Sequence, residues 1–279
     1  MYEKLYEKEV GPPDSTGSSA NGQSARGPST WDTATELPRV LLEMTSLTYS
    51  WPLLNTSPRG DGHSVLVLPG FTAGDQSTLV LRRLLERRNY RALPWLLGQN
   101  TGSFELQDRL MTRFQAVLAE AEGKVSLIGQ SLGGVFARVL ARQWPDRVRQ
   151  VITLGSPFGS SGPETVNSLV SRLFQTVSGM SSEEMRDQML DLRAESLPVP
   201  TTAIYSRTDG VVHWSTCIDR PGAQSENIEV LGSHSGMAFN PMVLNALLDR
   251  LAQRDGQWQP FKRDTLCRSL MYPNPASDK

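Results

Sequence analysis

The chain has 279 residues, with 28 basic and 29 acidic side chains and a net charge of −1. With its 23 glycines included, the apolar share of the composition reaches about 46%, which is ordinary for a globular protein. This length allows one large domain or two small ones with a sizeable core. The balanced charge offers no basic face to nucleic acid, and no apolar run approaches the length of a membrane helix. We therefore expect no nucleic-acid partner and no transmembrane segment.

The first ten residues alternate charges where a signal peptide has an apolar core, which predicts a cytoplasmic protein. The two cysteines, Cys217 and Cys267, allow at most one disulfide, and we expect both to be reduced thiols. A monomer is the expected oligomeric state.

Residues 11–30 contain no Val, Ile, Leu, Met or aromatic side chain. Fourteen of these twenty residues are Gly, Pro, Ser or Thr, so the segment has nothing to bury that would offset the entropy of ordering it. We predict a flexible N-terminal extension over residues 1–35, followed by one domain over residues 36–279.

Residues 36–54 carry the first dense apolar content of the chain. Leu41 and Met44, together with Leu47 or Tyr49, recur at near-helical spacing. This spacing predicts a helix that packs on the body of the domain. The alternative is a helix lying on a membrane surface, although such helices carry a basic polar face that this segment lacks.

From residue 63 onward, short apolar runs alternate with longer helical stretches. Buried strands are predicted at 63–70, 90–96, 124–130, 149–155, 200–206 and 227–232, and helices at 75–88, 104–122, 132–143 and 241–253. Continuous apolar strands that alternate with helices are typical of a mostly parallel sheet with helices on both faces. The sequence therefore predicts an α/β fold.

The alternation breaks once, between the predicted strands 149–155 and 200–206. The connection is roughly twice as long as a plain crossover and contains two amphipathic stretches, 166–177 and 181–192. Because the preceding strand ends at the carboxyl edge of the sheet, we predict that residues 157–198 form a helical lid over that edge. The residues expected to bind substrate from this lid are Leu169, Leu173 and Phe174. The alternative is a helix buried on the body for stability alone.

Residues 129–133 read Gly-Gln-Ser-Leu-Gly and fit the pattern G-x-S-x-G. The pattern is weak by itself, but Ser131 directly follows a predicted strand and precedes a predicted helix. A tight turn between the two would push the serine hydroxyl out over the carboxyl edge of the sheet, and flanking glycines permit such a turn. Gly134 would let the helix approach the sheet closely. Ser131 is therefore the predicted nucleophile; the alternative is a glycine-rich turn with an incidental serine.

A serine nucleophile needs a base, and the chain has three histidines. His63 opens a strand and so lies at the amino edge of the sheet. His213 lies only four residues beyond a candidate acid on the same loop. His234 follows the last predicted strand in a loop rich in glycine and serine at the carboxyl edge. We predict His234 as the base.

The third member of such a triad is a carboxylate that orients the histidine. Asp209 stands just after a predicted strand, at the carboxyl edge of the sheet. The rival carboxylates, none of which stands just after a strand, are Asp219, Glu226 and Glu229. With Asp209 the chain order is serine, aspartate, histidine, and Asp209 is the predicted acid.

Over residues 63–255 the chain resembles the α/β-hydrolase superfamily, and within it bacterial esterases and lipases. The matching segments are VLPGF at 67–71, GQSLGG at 129–134, SRTDGVV at 206–212 and GSHSGM at 232–237. Many lipases have His-Gly where this chain has Pro-Gly, and a branch of lipases similar to GPI-inositol deacylases has similar segments. The resemblance implies an oxyanion hole formed by the backbone N–H groups of Phe71 and Leu132, with Thr72 as the alternative to Phe71.

The predicted function is hydrolysis of a carboxylic ester or lipid through an acyl-enzyme intermediate, with no cofactor and no metal. The chain has neither the paired histidines of a zinc hydrolase nor a phosphate-binding loop. Two alternatives stay open. One is an acyltransferase or thioesterase with the same triad, and the other is a non-catalytic ligand-binding protein of this fold.

Overall fold

The centre of the protein is a six-stranded sheet. A computed structural model describes residues 27–159, 166, 168–179 and 196–273. The strands are β1 (Ser64–Leu68), β2 (Arg91–Leu93), β3 (Val125–Gln130), β4 (Val148–Leu154), β5 (Thr201–Tyr205) and β6 (Ser225–Glu229). They lie in the order β2-β1-β3-β4-β5-β6, and every neighbouring pair is parallel. All six therefore end at one carboxyl edge.

The helices of the described ranges connect the strands and cover the sheet. They are α1 (Thr30–Ala34), α2 (Glu36–Leu54), α3 (Leu79–Arg87), α4 (Phe104–Glu120), α5 (Leu132–Gln143), α6 (Ser168–Ser178), α7 (Pro241–Leu251) and α8 (Leu266–Met271). None of them is both long and apolar enough to cross a membrane.

The core has one layer on each face of the sheet, because side chains of a strand alternate between its two faces. Leu66 and Leu68 of β1 pack in the layer formed with α4 and α5. Val65 and Val67 of the same strand pack in the layer formed with α3 and α7. The predicted α/β fold, a parallel sheet with helices on both faces, is confirmed. Each predicted strand is present to within a few residues, and the second predicted lid stretch, 181–192, lies outside the described residues.

The N-terminal helix α2 packs on the domain with a different face from the one the sequence suggested. Its buried residues are Glu36, Glu43, Leu47 and Leu54. Leu41, Met44 and Tyr49, which we expected to share in the packing, are instead exposed by 66%, 46% and 82%. That part of the interpretation was wrong: the carboxylates face the body and most of the apolar residues face outward.

The predicted boundary at residue 35 also falls later than the first contact between the N-terminal segment and the body. Ser29 caps α1 by accepting a hydrogen bond from the Asp32 N–H, and the Thr33 hydroxyl donates to the Gly210 carbonyl at 2.9 Å. Helix α1 therefore touches the loop that follows β5, and the domain boundary at residue 35 stays a prediction.

Candidate active site

Ser131 occupies a strained turn between β3 and α5. Its backbone angles are φ 50° and ψ −123°, a conformation that non-glycine residues seldom adopt. Its N–H donates to the Leu154 carbonyl at 2.8 Å, which ties the turn to the end of β4. Such strain persists only where the surroundings enforce it, and it is a feature of functional turns. The hydroxyl is carried at the carboxyl edge, as the motif predicted.

Glycines allow this turn to pack backbone against backbone. A Cβ at Gly129 would lie 2.3 Å from the Gly133 carbonyl oxygen, and a Cβ at Gly133 would lie 2.4 Å from the Leu68 carbonyl oxygen. A Cβ at Gly134 would lie 2.0 Å from the Ser156 hydroxyl. The close approach of α5 to the sheet that was predicted from Gly134 is confirmed.

Asp209 and His234 face each other across two loops at the same edge. Asp209 Oδ2 lies 2.6 Å from His234 Nδ1, and both side chains are buried. The other carboxylate oxygen accepts hydrogen bonds from the N–H groups of Val211 and Val212 at 2.8 and 2.9 Å. These bonds fix the carboxylate, so that it can orient the imidazole and leave Nε2 free to accept a proton.

The imidazole lies beside the turn that carries Ser131. A methyl group built on Gly155 would stand 3.2 Å from His234 Nδ1, and Gly155 directly follows the Leu154 carbonyl that binds the Ser131 N–H. The Gln130 side chain also donates to the His234 carbonyl at 3.2 Å. His234, in contact with Asp209, therefore lies near the ends of β3 and β4, where Ser131 begins the turn into α5. The catalytic role of these three residues remains a prediction.

Two opposing effects set the pKa of His234. Burial lowers it, because the charged imidazolium loses water. The Asp209 carboxylate raises it through both its charge and its hydrogen bond, and the charge of Glu36 adds to this. The result is a pKa above the ordinary imidazole value of 6.5.

The other two histidines lie in different surroundings, as expected. His63 contacts Asp61 at 2.5 Å and Ser126 at 2.8 Å, which imitates a triad at the amino edge. Ser126 is completely buried within β3, however, and cannot meet a substrate. The imidazole of His213 pairs with the Ser215 hydroxyl at 2.8 Å rather than with Asp209.

The three rival carboxylates all have structural partners. Asp219 forms a completely buried ion pair with Arg138, at 2.6 Å. Glu226 pairs with Arg250 at 3.0 Å, and Glu229 accepts hydrogen bonds from Tyr205 and Arg207 at 3.0 Å each. These contacts give the three carboxylates partners other than a histidine.

The backbone around Ser131 has N–H groups free to bind an oxyanion. Leu132 is the first residue of α5, where N–H groups have no partner within the helix. Neither its N–H nor that of Phe71 takes part in a backbone hydrogen bond among the described residues, whereas the Thr72 N–H donates to the Asn100 carbonyl at 2.8 Å. A Cβ on Gly70 would lie 3.3 Å from the Ser131 Cβ, so the Phe71 loop borders the serine. These contacts favour Phe71 over Thr72.

Asn100 holds the Phe71 loop and was not found from the sequence. Its side chain is completely buried, donates to the Pro69 carbonyl at 2.8 Å and accepts from the Gly102 N–H at 3.2 Å. An asparagine in a loop carries no pattern that marks such a role, because the Pro69 carbonyl that it binds lies 31 positions away in the sequence.

In the described part of the predicted lid, α6 reaches the Phe71 loop through Phe174. Phe174 of α6 is buried, and its ring packs on that of Phe71 with centroids 5.0 Å apart. Leu173 is 48% exposed, and the side chain of Leu169 lies outside the described residues. Of the three predicted substrate-binding residues, the structure thus brings Phe174 to the site and leaves Leu173 facing outward.

No protein-family profile and no curated protein matches the chain. Among solved structures it is similar to lipase B of Aspergillus fumigatus, with a TM-score of 0.55 and 17% identity over 72% of this chain and 56% of that one. It is also similar to a structure from work on the metagenome-derived lipolytic enzymes LipS and LipT (TM-score 0.53, 15% identity, 70% of this chain and 95% of that one). A monoacylglycerol lipase of Paleococcus ferrophilus gives a TM-score of 0.52 and 14% identity over 68% of this chain and 96% of that one.

The chain has the α/β-hydrolase fold. At these identities the likeness establishes the fold alone, so the chemistry has to be argued from the residues at the carboxyl edge.

Matched substitutions at two buried aspartates should separate catalysis from stability. Asp209→Asn should lower kcat by about 10³- to 10⁴-fold with little change in Tm, because an amide beside Nδ1 favours the wrong imidazole tautomer. Asp219→Asn should instead destabilise the fold by about 3–5 kcal/mol, because it removes the negative charge that pairs with the buried Arg138 guanidinium. Ester hydrolysis and thermal unfolding, measured on both variants, test this. A lower Tm without a lower kcat in Asp209→Asn would contradict it.

The raised pKa of His234 predicts the pH dependence of kcat/KM. A protonated imidazole cannot accept the serine proton, so activity should fall on the acid side. Because the pKa is raised, the pH at which half of the activity is lost on acidification should lie above the ordinary imidazole value of 6.5. Hydrolysis of a p-nitrophenyl ester, measured from about pH 5 to 9, gives the midpoint. A profile that stays flat down to about pH 5 would exclude His234 as the base.

Proposed function

We propose that the protein is a serine hydrolase of carboxylic esters, of the esterase and lipase kind, acting on a small-molecule ester or lipid. In this proposal Ser131 is the nucleophile, His234 the general base and acid, and Asp209 the residue that orients His234. The backbone N–H groups of Phe71 and Leu132 form the oxyanion hole.

The observation that carries the proposal is the buried contact between Asp209 and His234, 2.6 Å long, beside a serine in a strained turn. Neutral imidazole with its Nδ1–H held by a carboxylate leaves Nε2 to accept a proton, which is what a serine nucleophile requires.

Catalysis would proceed in two stages. Ser131 attacks the ester carbonyl while His234 takes the hydroxyl proton, and the negative oxygen that develops is bound by the two backbone N–H groups. The start of α5 adds the positive end of its helix dipole at the same point. His234 then returns the proton to the leaving alcohol. Water then attacks the acyl carbonyl while His234 takes its proton, and His234 passes that proton to the Ser131 oxygen as the carboxylic acid leaves.

Aromatic and aliphatic side chains beside the serine support binding of the acyl part. Phe71 and Phe174 are in ring contact, and a Cβ on Gly102 would touch both Phe174 at 2.7 Å and Leu132 at 3.1 Å. Such an apolar wall excludes water and favours medium or long acyl chains. Membership of the branch of lipases that resembles GPI-inositol deacylases remains a prediction.

A fluorophosphonate probe tests the nucleophile directly. Ser131→Ala should abolish labelling and lower ester turnover by at least about 10³-fold, with Tm nearly unchanged. Ser156 is a matched control, because it lies at the end of the neighbouring strand but its buried hydroxyl donates to the Gly129 carbonyl at 3.3 Å. Ser156→Ala should still be labelled.

Two results would contradict the proposal. Activity of Ser131→Ala within a few-fold of the original chain would exclude this serine as the nucleophile. Labelling of Ser131 without turnover of any ester, but with transfer to added thiol or alcohol acceptors, would make the protein an acyltransferase with the same triad.

Matched substitutions in α6 test the acyl pocket. Phe174→Ala should lower kcat/KM about 10-fold or more for p-nitrophenyl octanoate and less for the acetate, because the removed ring would contact only a longer chain. Leu173→Ala is the control on the exposed side of the same helix and should change neither. Equal losses on both esters in Phe174→Ala, together with a lower Tm, would show that the ring serves stability instead.

A further inference from the structure

Helix α2 carries its charged residues on the side that faces the domain. The segment has three charged residues, Glu36, Arg39 and Glu43, and both glutamates are buried. The residues exposed on its outer side are apolar: Leu37, Leu41, Leu42, Met44, Tyr49 and Leu53. Burying a carboxylate is unfavourable unless donors surround it, so the inward glutamates need hydrogen-bond partners in the domain.

Glu36 finds those donors on both loops of the proposed catalytic pair. Its Oε1 accepts a hydrogen bond from the Ser235 N–H at 2.8 Å, and its Oε2 accepts one from the Gly210 N–H at 3.3 Å. Ser235 directly follows His234, and Gly210 directly follows Asp209. A single carboxylate therefore bridges the backbone next to the base and the backbone next to the acid.

Glu43, two helical turns later, holds the residue on the other side of His234. Its Oε1 accepts from the Ser233 N–H at 2.7 Å and from the Asn240 side chain at 3.1 Å, and the Ser233 hydroxyl donates to its Oε2 at 2.5 Å. A Cβ on Gly236 would lie 1.5 Å from Oε2, so only glycine there lets the carboxylate approach this closely.

Arg39 completes the same face of the helix. Its guanidinium donates to the Thr208 carbonyl, to the Gly232 carbonyl at 3.2 Å and to Glu36 at 3.2 Å. Thr208 precedes Asp209 and Gly232 lies just before the Ser233–His234 segment. Each loop is thus held through both backbone donors and backbone acceptors.

We propose that Glu36 and Glu43 are positioning residues, which hold the 208–210 and 232–236 loops so that Asp209 and His234 stay aligned with Ser131. This inference rests on the proposed function, since it assigns the helix to the same triad. Neither glutamate touches the reacting atoms, and both act through the loops that carry the acid and the base.

Glu36 has an electrostatic effect that a purely structural contact would lack. Burial lowers the pKa of His234, the charge and hydrogen bond of Asp209 raise it, and the charge of Glu36 raises it further. Of the other nearby groups, Glu43 faces the Ser233 side of the loop, and Gln130 is neutral. Loss of the charge at position 36 should therefore move the acid limb of activity to lower pH.

The test compares substitutions on the two sides of α2, using kcat, KM, the pH profile and Tm of the full chain with a p-nitrophenyl ester. Glu36→Ala removes both acceptors and should lower kcat about 100-fold with little change in KM, because misalignment affects proton transfer more than binding. Glu36→Gln keeps one acceptor oxygen but no charge, so kcat should partly recover while the acid limb stays displaced to lower pH.

Glu43→Gln provides the conservative variant at the second position. It keeps an oxygen for the Ser233 N–H and should lower kcat less than Glu43→Ala does. Leu41→Ala, on the exposed side of the same helix, is the control and should leave kcat, KM and the pH profile unchanged.

The outcomes separate this inference from the proposed function. If Glu36 and Glu43 variants lower Tm while the kcat and acid limb of the folded protein stay unchanged, the glutamates are structural only and the inference is overturned. If Ser131→Ala retains activity, the proposed function itself fails. A kcat loss in Glu36→Ala, partly restored in Glu36→Gln with a displaced acid limb, supports the inference.

Discussion

The contact between the backbone of the Ser131 turn and the ends of β1 and β3 is the constraint on which the site depends. Neither Gly129 nor Gly133 has room for a side chain, because a Cβ on either would lie within 2.4 Å of a carbonyl oxygen. With α5 seated this closely, the backbone alone places the serine and the start of the helix. The proposed nucleophile and the N–H of Leu132 thus share one rigid element, which is the arrangement that pre-organised donors require.

The features that were predictable from the sequence are those with a local cause. Buried parallel strands need continuous apolar runs, and the turn at Ser131 needs glycines, so both leave a readable pattern. Asp209 and His234 were predictable because parallel strands end at one edge, and residues just beyond them must meet there. The observed 2.6 Å contact between two residues 25 positions apart follows from that topology.

Features that depend on distant partners left no such pattern. The apolar residues of α2 suggested which face would pack, yet Glu36 and Glu43 face the domain because backbone donors some 170 to 200 positions away are there to receive them. One signal was available: the charged residues of the helix are few and share one side, which is unusual for a surface helix. In α6, helical spacing alone could not show which of Leu173 and Phe174 faces the body. Both residues fit the same broad apolar stripe, although adjacent residues of a helix point about 100° apart.

The three residues of the proposed triad are held in unequal ways, and this difference gives α2 its importance. Ser131 lies between a strand and a helix, whereas Asp209 and His234 lie in loops, which are ordinarily the least rigid parts of a fold. A loop can hold a side chain to within a fraction of an ångström only if its backbone is bonded on several sides. The buried carboxylates of α2 accept those hydrogen bonds. Burial raises the pKa of Glu43, so holding its charged carboxylate inside the domain costs electrostatic free energy. A helix that precedes the first strand thereby becomes part of the framework of the site.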